Sequence, residues 1–174
     1  MNMKTPLVIL SAACGVGKTT IQNALRDLNL LPGYACLGSD EMGINWWDYA
    51  GTPHAADYTK DCLAAALDRA GDRPLVFCAC VAPPDFREMR PAFPQISSVR
   101  HIGMTCSNEE VRRRLLARPP ERMCSDEAFI LSQIEYNQWI REHPDEYAFS
   151  LDNTPYSIQE TAEIIADFIL RTEL

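Results

Sequence analysis

A phosphate-binding loop near the start of the chain constrains the fold more than any other feature. The apolar run at residues 7–10 leads into Ala12-Ala13-Cys14-Gly15-Val16-Gly17-Lys18-Thr19, and an amphipathic segment follows. This order matches the motif of Gly, four residues and Gly-Lys-Ser/Thr between a strand and a helix. Glycines let successive backbone N–H groups point at one anion, beside a helix N-terminus whose dipole favours negative charge. The sequence therefore predicts a nucleoside triphosphate site, formed by Cys14, Gly15, Val16, Gly17, Lys18, Thr19 and Thr20.

Two side chains of the loop have distinct expected roles. Lys18 would reach the outer phosphates as a catalytic group, and Thr19 would place its hydroxyl on Mg²⁺. The loop departs from the motif at Ala12, which stands where the pattern has its first glycine. If that position needs a positive φ, alanine is unfavourable there; if it needs only a small residue, alanine serves.

Strand and helix patterns alternate along the whole chain. This alternation predicts a single α/β domain over residues 1–174, with a parallel sheet covered by helices on both faces. The helices after Ser107 and Ser157 each begin with a predicted capping box, because a glutamate follows three residues later. The predicted strands are 6–10, 34–37, 75–81, 99–105 and 148–151, and the other predicted helices are 18–28, 55–70 and 126–142.

Composition excludes several classes of function. The net charge of −8 and the pI of about 4.8 argue against a general nucleic-acid-binding surface. No apolar run approaches the ~20 residues of a membrane helix, and the first apolar stretch is read as a strand rather than a signal peptide. The seven cysteines contain no Cys-x-x-Cys pair, which favours unlinked thiols in a reducing cytoplasm over metal ligation. We expect a cytoplasmic monomer or homodimer.

Asp40 and Glu41 follow the predicted second strand, at the edge of the sheet where ligands bind in open α/β folds. Asp40 could accept a proton from an acceptor hydroxyl and help to hold hydrated Mg²⁺ together with Thr19. A helix cap is the alternative for Asp40, and Glu41 is the weaker candidate. The third strand lacks the acid that usually closes it, so either Asp40 and Thr19 supply the main metal contacts or Asp85 does.

Five arginines lie between positions 112 and 122 of this acidic chain: Arg112, Arg113, Arg114, Arg118 and Arg122. A solvated helix face is the usual explanation of such a run of charges, and Arg112 or Arg113 could lie on one. Arg118 and Arg122 flank Pro119-Pro120, and we expect them to lie on a mobile lid at about residues 118–125. There they would stabilise the charge that develops on the transferred phosphate.

Two further groups of residues are candidates for binding the phosphate acceptor. Arg87 and Arg90 could hold an anionic acceptor or lie on a helix face, and the sequence favours neither. Trp46, Trp47 and Tyr49 lie in a polar stretch after Asp40, where aromatic rings could stack on a flat acceptor. Packing in the core is the alternative for at least one tryptophan.

The chain resembles the small P-loop kinases of the nucleotide and nucleoside kinase group, which also contains gluconate and shikimate kinases. The resemblance is greatest to uncharacterised bacterial proteins of the nucleoside and nucleotide kinase type. It rests on residues 12–20, on Ser39-Asp40-Glu41, and on Arg114-Leu115-Leu116-Ala117-Arg118 with Arg122. Leu131-Ser132-Gln133 is similar to gluconate kinases, and Leu151-Asp152-Asn153-Thr154 to the loop near the adenine.

The resemblance implies a three-layer fold with strand order 2-3-1-4-5, a small lid, and ATP and Mg²⁺ as cofactors, with Asn153 near the base. We therefore expect a kinase that transfers the γ-phosphate of ATP to a hydroxyl of a nucleoside-like small molecule. The stretch between Glu41 and Pro74 is poor in arginine, which favours a neutral acceptor. The alternatives are a nucleoside monophosphate kinase, a sugar-acid or antibiotic kinase, and a nucleotide-binding switch or regulatory ATPase.

Overall fold

Five parallel strands form the centre of the computed structural model, which describes residues 4–172. Their order in the sheet is β2-β3-β1-β4-β5, as the resemblance implied. The strands are Thr5–Ser11 (β1), Ala35–Gly38 (β2), Leu75–Ala79 (β3), Ile96–Thr105 (β4) and Phe149–Asp152 (β5). The α-helices are Lys18–Asp27 (α1), Asp57–Ala70 (α2), Pro83–Met89 (α3), Asn108–Leu116 (α4), Glu127–Glu142 (α5) and Ile158–Arg171 (α6).

The central strand β1 explains why helices cover both faces of the sheet. Alternate residues of a strand point to opposite faces, and both sets are apolar here. Val8 and Leu10 pack into a core with α1, α4, α5 and α6, whereas Leu7 and Ile9 pack into a second core with α2 and α3. Burying each such side chain contributes about 1.5–3 kcal/mol, so neither face of β1 is stable in water. The three layers follow from this pattern.

The helix starts agree with the sequence except at one carboxylate. Ser157 and Glu160 form the predicted capping box at the start of α6. At α4 the hydroxyl of Ser107 accepts the hydrogen bond from Glu110 N, at 3.2 Å. The return hydrogen bond of a capping box, from Ser107 N to the carboxylate of Glu110, is not formed in the described structure. Glu110 instead accepts hydrogen bonds from Arg113 and Arg114. The second predicted capping box is therefore half formed, because two guanidinium groups compete for its acid.

The segment after β3 differs most from the prediction. β3 ends at Ala79 rather than at position 81, and the carbonyl of Val81 accepts a hydrogen bond from Ser11 Oγ at 2.7 Å. Pro83 and Pro84 begin α3, where their missing N–H groups cost nothing. The polar stretch after Asp40 contains a 3₁₀ turn at Trp46–Asp48.

A buried amide fixes α5 against the end of β4. Asn137 is fully buried, and its side chain bonds to both the N–H and the carbonyl of Cys106, at 3.3 and 2.8 Å. Its Nδ2 also donates to Asn108 Oδ1 at 2.8 Å, which ties α5 to the start of α4. This placement brings Gln133, one turn earlier on α5, to the phosphate-binding loop. No helix in the described part of the chain is both long and apolar enough to cross a bilayer.

His101 on β4 is a titratable group in an apolar setting. Its ring packs edge-on against Phe86, with centroids 5.3 Å apart, and its Nδ1 is buried without a partner among the described residues. Burial, followed by the positive charge of Arg87, lowers the pKa of His101 to about 4. The imidazole is therefore neutral in the folded chain at neutral pH.

We expect the free energy of unfolding to fall as the pH is lowered, because the unfolded chain protonates His101 more readily. This contribution is fully present above the unfolded pKa of about 6.5 and is lost as the pH falls towards about 4. The loss is on the order of 3 kcal/mol. Urea titrations from pH 7 to 4 measure it, and His101→Gln should remove it. Parallel curves for the two proteins would contradict the assignment.

Candidate nucleotide-binding active site

The loop between β1 and α1 has the backbone that an anion cradle requires. Gly15 and Gly17 have φ of 90° and 113°, a region that residues with a Cβ rarely adopt. A Cβ on Gly15 would also lie 3.1 Å from Val111 O and from Leu115 Cγ. Among the described residues other than glycine only Asn29 and Met123 have positive φ. The backbone at position 12 therefore does not require a glycine. Ala12 is fully buried, and a small side chain suffices there.

Lys18 folds back over the loop that carries it. Its Nζ donates to the carbonyls of Ala12 and Ala13, at 2.7 and 3.1 Å, and to Cys80 Sγ at 3.0 Å. Burial alone would lower the pKa of Lys18, but the sulfurs of Cys80 and Cys14 reverse that effect and raise it. The group is thus a charged ammonium at the point where the loop meets the end of β3.

The predicted pair of metal ligands is brought together. Thr19, in the first turn of α1, donates from Oγ1 to Asp40 Oδ2 over 3.3 Å, and both side chains are exposed. A hydroxyl and a carboxylate are oxygen ligands of the kind that Mg²⁺ takes, together with waters and phosphates. In residues 4–172 no three His, Cys, Asp or Glu side chains cluster as a protein-only metal site. The set fits a Mg²⁺ shared with a phosphate.

The two acids after β2 have different surroundings. Glu41 accepts hydrogen bonds from Gln22 Nε2 at 2.7 Å, from Arg26 Nη1 at 2.9 Å and from Gly38 N at 3.1 Å. These contacts join β2 to α1, so Glu41 has a structural role. Asp40 is the acid that faces the loop, in agreement with the preference from sequence.

The arginines of the 112–122 stretch divide into three roles. Arg112 and Arg113 pair with glutamates on the surface, as expected of a solvated face. Arg114 donates from Nη1 to the carbonyl of Val16 at 2.8 Å, and so supports the phosphate-binding loop from behind. Arg118 lines the cavity beside the loop, whereas Arg122 is exposed on the 3₁₀ turn Pro120–Arg122, outside the residues that line the cavity.

A cavity of about 320 Å³ lies on the outer side of the loop. Asn153, in the loop after β5, donates from Nδ2 to Val16 O at 3.3 Å, and its Oδ1 is buried without a partner in the described structure. Tyr156 and Ile158 are largely exposed and form an apolar wall. The cavity is lined by Gly15, Val16, Gly17, Thr20, Ile21, Arg114, Arg118, Asn153, Tyr156, Ile158 and Thr161. The apolar wall could pack against a flat ring, and Asn153 Oδ1 beside this wall could accept a hydrogen bond from it.

The aromatic residues after Asp40 form a cluster around Tyr58. The rings of Trp46 and Tyr49 meet Tyr58 edge-on, with centroids 5.3 and 5.6 Å apart. Burial, followed by the thiol of Cys62, raises the pKa of Tyr58. The helix α2, which carries Tyr58, meets the turn that contains Asp40, because Cys62 Sγ lies 3.9 Å from Ser39 O. Trp46 and Trp47 are 39% and 45% exposed, so neither is a core residue.

Arg87 and Arg90 do not reach this edge of the sheet. Arg90 donates to the carbonyls of Phe93 and Ile96, at 2.7 and 2.6 Å, and Ile96 begins β4. Arg87 makes a two-pronged ion pair with Glu146, which precedes β5. Arg90 therefore lies at the amino end of β4 and Arg87 beside the segment that precedes β5, and neither guanidinium group bonds to the phosphate-binding loop in the described structure. Of the two alternatives that the sequence left open, these contacts favour a position on the helix, because α3 carries both arginines away from the loop.

No protein-family model matches the chain, and no curated protein matches it. Solved structures do match. An APS kinase from Mycobacterium tuberculosis, in complex with AMPPNP and APS, has a TM-score of 0.64 and 18% identity, covering 97% of this chain and 99% of that chain. The chain has the fold of the small P-loop kinases.

Two further structures agree with this fold. Shikimate kinase from Acinetobacter baumannii, in complex with shikimate, has a TM-score of 0.63 and 16% identity, and covers 98% of this chain and 96% of that chain. The tunicamycin resistance protein of Deinococcus radiodurans has a TM-score of 0.63 and 20% identity, with 95% and 96% covered. At these identities the likeness is one of fold.

Three contacts at the loop escaped the sequence analysis. Cys80 lies beside Lys18 after the end of β3, where an acid usually closes this strand. Asp85, the alternative acid, lies in the first turn of α3. Gln133 Oε1 accepts a hydrogen bond from Cys14 N at 2.9 Å, at the mouth of the cradle. Arg114 supports the loop through its hydrogen bond to Val16 O. Of these contacts, the sequence indicated only that of Gln133, through the motif Leu131-Ser132-Gln133, and it predicted no role for that side chain.

We expect Lys18→Met to weaken ATP binding by about ten- to a hundredfold, because the variant loses charged hydrogen bonds to phosphate. Isothermal titration calorimetry of the purified protein measures the change. Lys60→Met is the matched control, since Lys60 is exposed on α2. Equal affinity of the Lys18 variant and the control would show that this lysine does not face the phosphates.

Proposed function

We propose that the chain is an ATP-dependent phosphotransferase that moves the γ-phosphate to a hydroxyl of a small acceptor. The observation that carries this proposal is the convergence of three groups at one edge of the sheet. Lys18 is charged and lies over the glycine-rich loop, and Thr19 and Asp40 lie 3.3 Å apart beside it. The kinase folds of the similar structures support the same reaction class.

Each group has one task in this reaction. The N–H groups of the loop and Lys18 bind the phosphates and offset their charge. Asp40 orients the acceptor hydroxyl and takes its proton as the new P–O bond forms. Mg²⁺ held by Thr19 and Asp40 would further neutralise the phosphate oxygens. Gln133 must release Cys14 N, because that N–H is one of the donors that a phosphate would use.

The cavity beside the loop is the proposed site of the nucleotide base. Asn153 is oriented by its bond to Val16 O, which leaves Oδ1 as an acceptor for an amino group such as that of adenine. Tyr156 and Ile158 supply the apolar wall against which a base would lie. These features support ATP as the donor.

The aromatic cluster beside Asp40 is the proposed acceptor site. Trp46, Tyr49 and Tyr58 offer ring edges and faces next to the proposed base, which suits a flat ring carrying a hydroxyl. Arg87 and Arg90 are held elsewhere, which removes the main argument for an anionic acceptor. A nucleoside-like alcohol is therefore preferred to a nucleoside monophosphate.

Release of ADP from ATP·Mg²⁺ tests the reaction, with separate pools of nucleosides, nucleoside monophosphates, sugar acids and aminoglycosides. We expect the nucleoside pool to raise turnover above basal hydrolysis. Asp40→Asn should abolish that stimulation, because the amide cannot take the proton, with ATP affinity changed by only a few fold. Stimulation by another pool would correct the acceptor class. Turnover that no pool changes would replace the kinase with a nucleotide-binding switch or regulatory ATPase.

Arg118 is proposed to close over the transferred phosphate on a lid at residues 118–125. Its guanidinium lines the nucleotide cavity, and its Nη1 contacts only a sulfur, Cys124 Sγ at 3.7 Å, among the described residues. That weak contact leaves it available for a stronger anionic partner.

We expect Arg118→Ala to lower kcat by about a hundred- to a thousandfold while ATP affinity changes by only a few fold, because the charge it stabilises develops in the transition state. Steady-state kinetics and calorimetry together separate the two effects. Arg113→Ala is the matched control, since Arg113 pairs with Glu110 on the surface. Equal losses in kcat and in affinity would assign Arg118 to ground-state binding.

A further inference from the structure

Two cysteines meet at the phosphate-binding loop, where β1 and β3 end side by side. Ser11 and Ala79 are paired in the sheet, so the segments that follow them are neighbours. The Sγ atoms of Cys14 and Cys80 lie 3.7 Å apart, and Lys18 Nζ lies 3.0 Å from Cys80 Sγ. A disulfide has an S–S distance of about 2.05 Å, so a closer approach of about 1.7 Å would join them.

Exposure sets this pair apart from the other cysteines. Cys80 is exposed and Cys14 is half-buried. A small oxidant in water can reach Cys80, whereas burial protects the remaining thiols. Those buried thiols are Cys36, Cys62, Cys78, Cys106 and Cys124.

The two sulfurs differ in acidity. The hydrogen bond between the two sulfurs, followed by the ammonium of Lys18, lowers the pKa of Cys80 to about 6. The same hydrogen bond raises the pKa of Cys14 well above its usual value. Cys80, whose Sγ lies 3.0 Å from Lys18 Nζ, is therefore the sulfur of the pair that more readily forms a thiolate. A reactive thiolate next to a second sulfur is the arrangement typical of redox-sensing cysteines.

We propose that Cys14 and Cys80 form an oxidisable pair that hydrogen peroxide converts into a disulfide, which closes the nucleotide site. The formation of the bond depends on the two sulfurs alone, whereas the closure of the site rests on the proposed function.

The chemistry is balanced with peroxide as the oxidant. The Cys80 thiolate attacks one peroxide oxygen, so that an S–O bond forms, the O–O bond breaks, and hydroxide leaves. The sulfur of Cys14 then attacks the sulfenic sulfur of Cys80, which forms the S–S bond and breaks the S–O bond. The proton of Cys14 goes to the leaving oxygen. The two sulfurs lose two electrons in total, and peroxide is reduced to one hydroxide ion and one water molecule.

The bond would act on the same groups that bind phosphate. Cys14 N is one of the N–H groups of the loop, and the disulfide would hold this residue against the end of β3. Lys18 would lose the free sulfur that it now contacts at 3.0 Å. A loop held in this way cannot adjust to a triphosphate, so oxidation should weaken ATP binding by at least about tenfold, reversibly.

The test uses the full chain, reduced and then treated with a small excess of hydrogen peroxide. Non-reducing proteolysis and mass spectrometry should find a linked peptide pair containing Cys14 and Cys80. Calorimetry should show the loss of ATP affinity, and dithiothreitol should restore it. Each variant is compared with itself before and after peroxide. Cys80→Ser should show neither the link nor the loss, and Cys36→Ala, a buried control, should show both.

Cys14→Ser separates the two steps, because Cys80 should then stop at a sulfenic acid that dimedone traps. Two results would overturn the proposal: oxidation of wild-type Cys80 without a link to Cys14, or a link that leaves ATP affinity unchanged. A reduced protein that binds no ATP would instead overturn the proposed function, and the mass spectrum would still decide whether the link forms.

Discussion

The ammonium group of Lys18 needs negative partners, and the folding of the loop decides which ones it receives. Two backbone carbonyls of its own loop and the sulfur of Cys80 surround it. The loop can turn this tightly only because Gly15 and Gly17 adopt positive φ. A charge held over a cradle of N–H groups leaves the site incomplete without an anion. The position of Asp40, of the nucleotide cavity and of the cysteine pair follows from this one turn.

The architecture was predictable because its causes are local. The apolar run of β1, covered on both faces, and the alternation of strands and helices depend on residues close in sequence. The strand order was an analogy from resemblance, and the sheet confirms it. The pairing of Thr19 with Asp40 was also anticipated, since each follows the carboxyl end of a strand.

The errors and omissions concern contacts that only tertiary structure brings together. Arg87 and Arg90 follow β3 in sequence, but α3 carries them away from the loop, to Glu146 and to backbone carbonyls near the start of β4. Cys80 and Gln133 reach the loop from β3 and α5, and no spacing in the sequence relates them to it. The group beside Lys18 at the end of β3 is the thiol of Cys80 and not an acid, and no motif of the phosphate-binding loop indicates a thiol at that position.

Electrostatics reconciles an acidic chain with a site for a polyanion. The net charge of −8 repels nucleotides at long range, so attraction must come from a few charges held at the site. The chain neutralises Arg112 and Arg113 with glutamates on the surface and commits Arg114 to the loop carbonyls. Lys18 and Arg118 are left facing the site, and the side-chain atoms that accept their hydrogen bonds in the described structure are the sulfurs of Cys80 and Cys124. A phosphate that replaces these sulfurs gains charge-assisted hydrogen bonds from Lys18 and Arg118 at little cost, because neither side chain has to break a hydrogen bond to a carboxylate first.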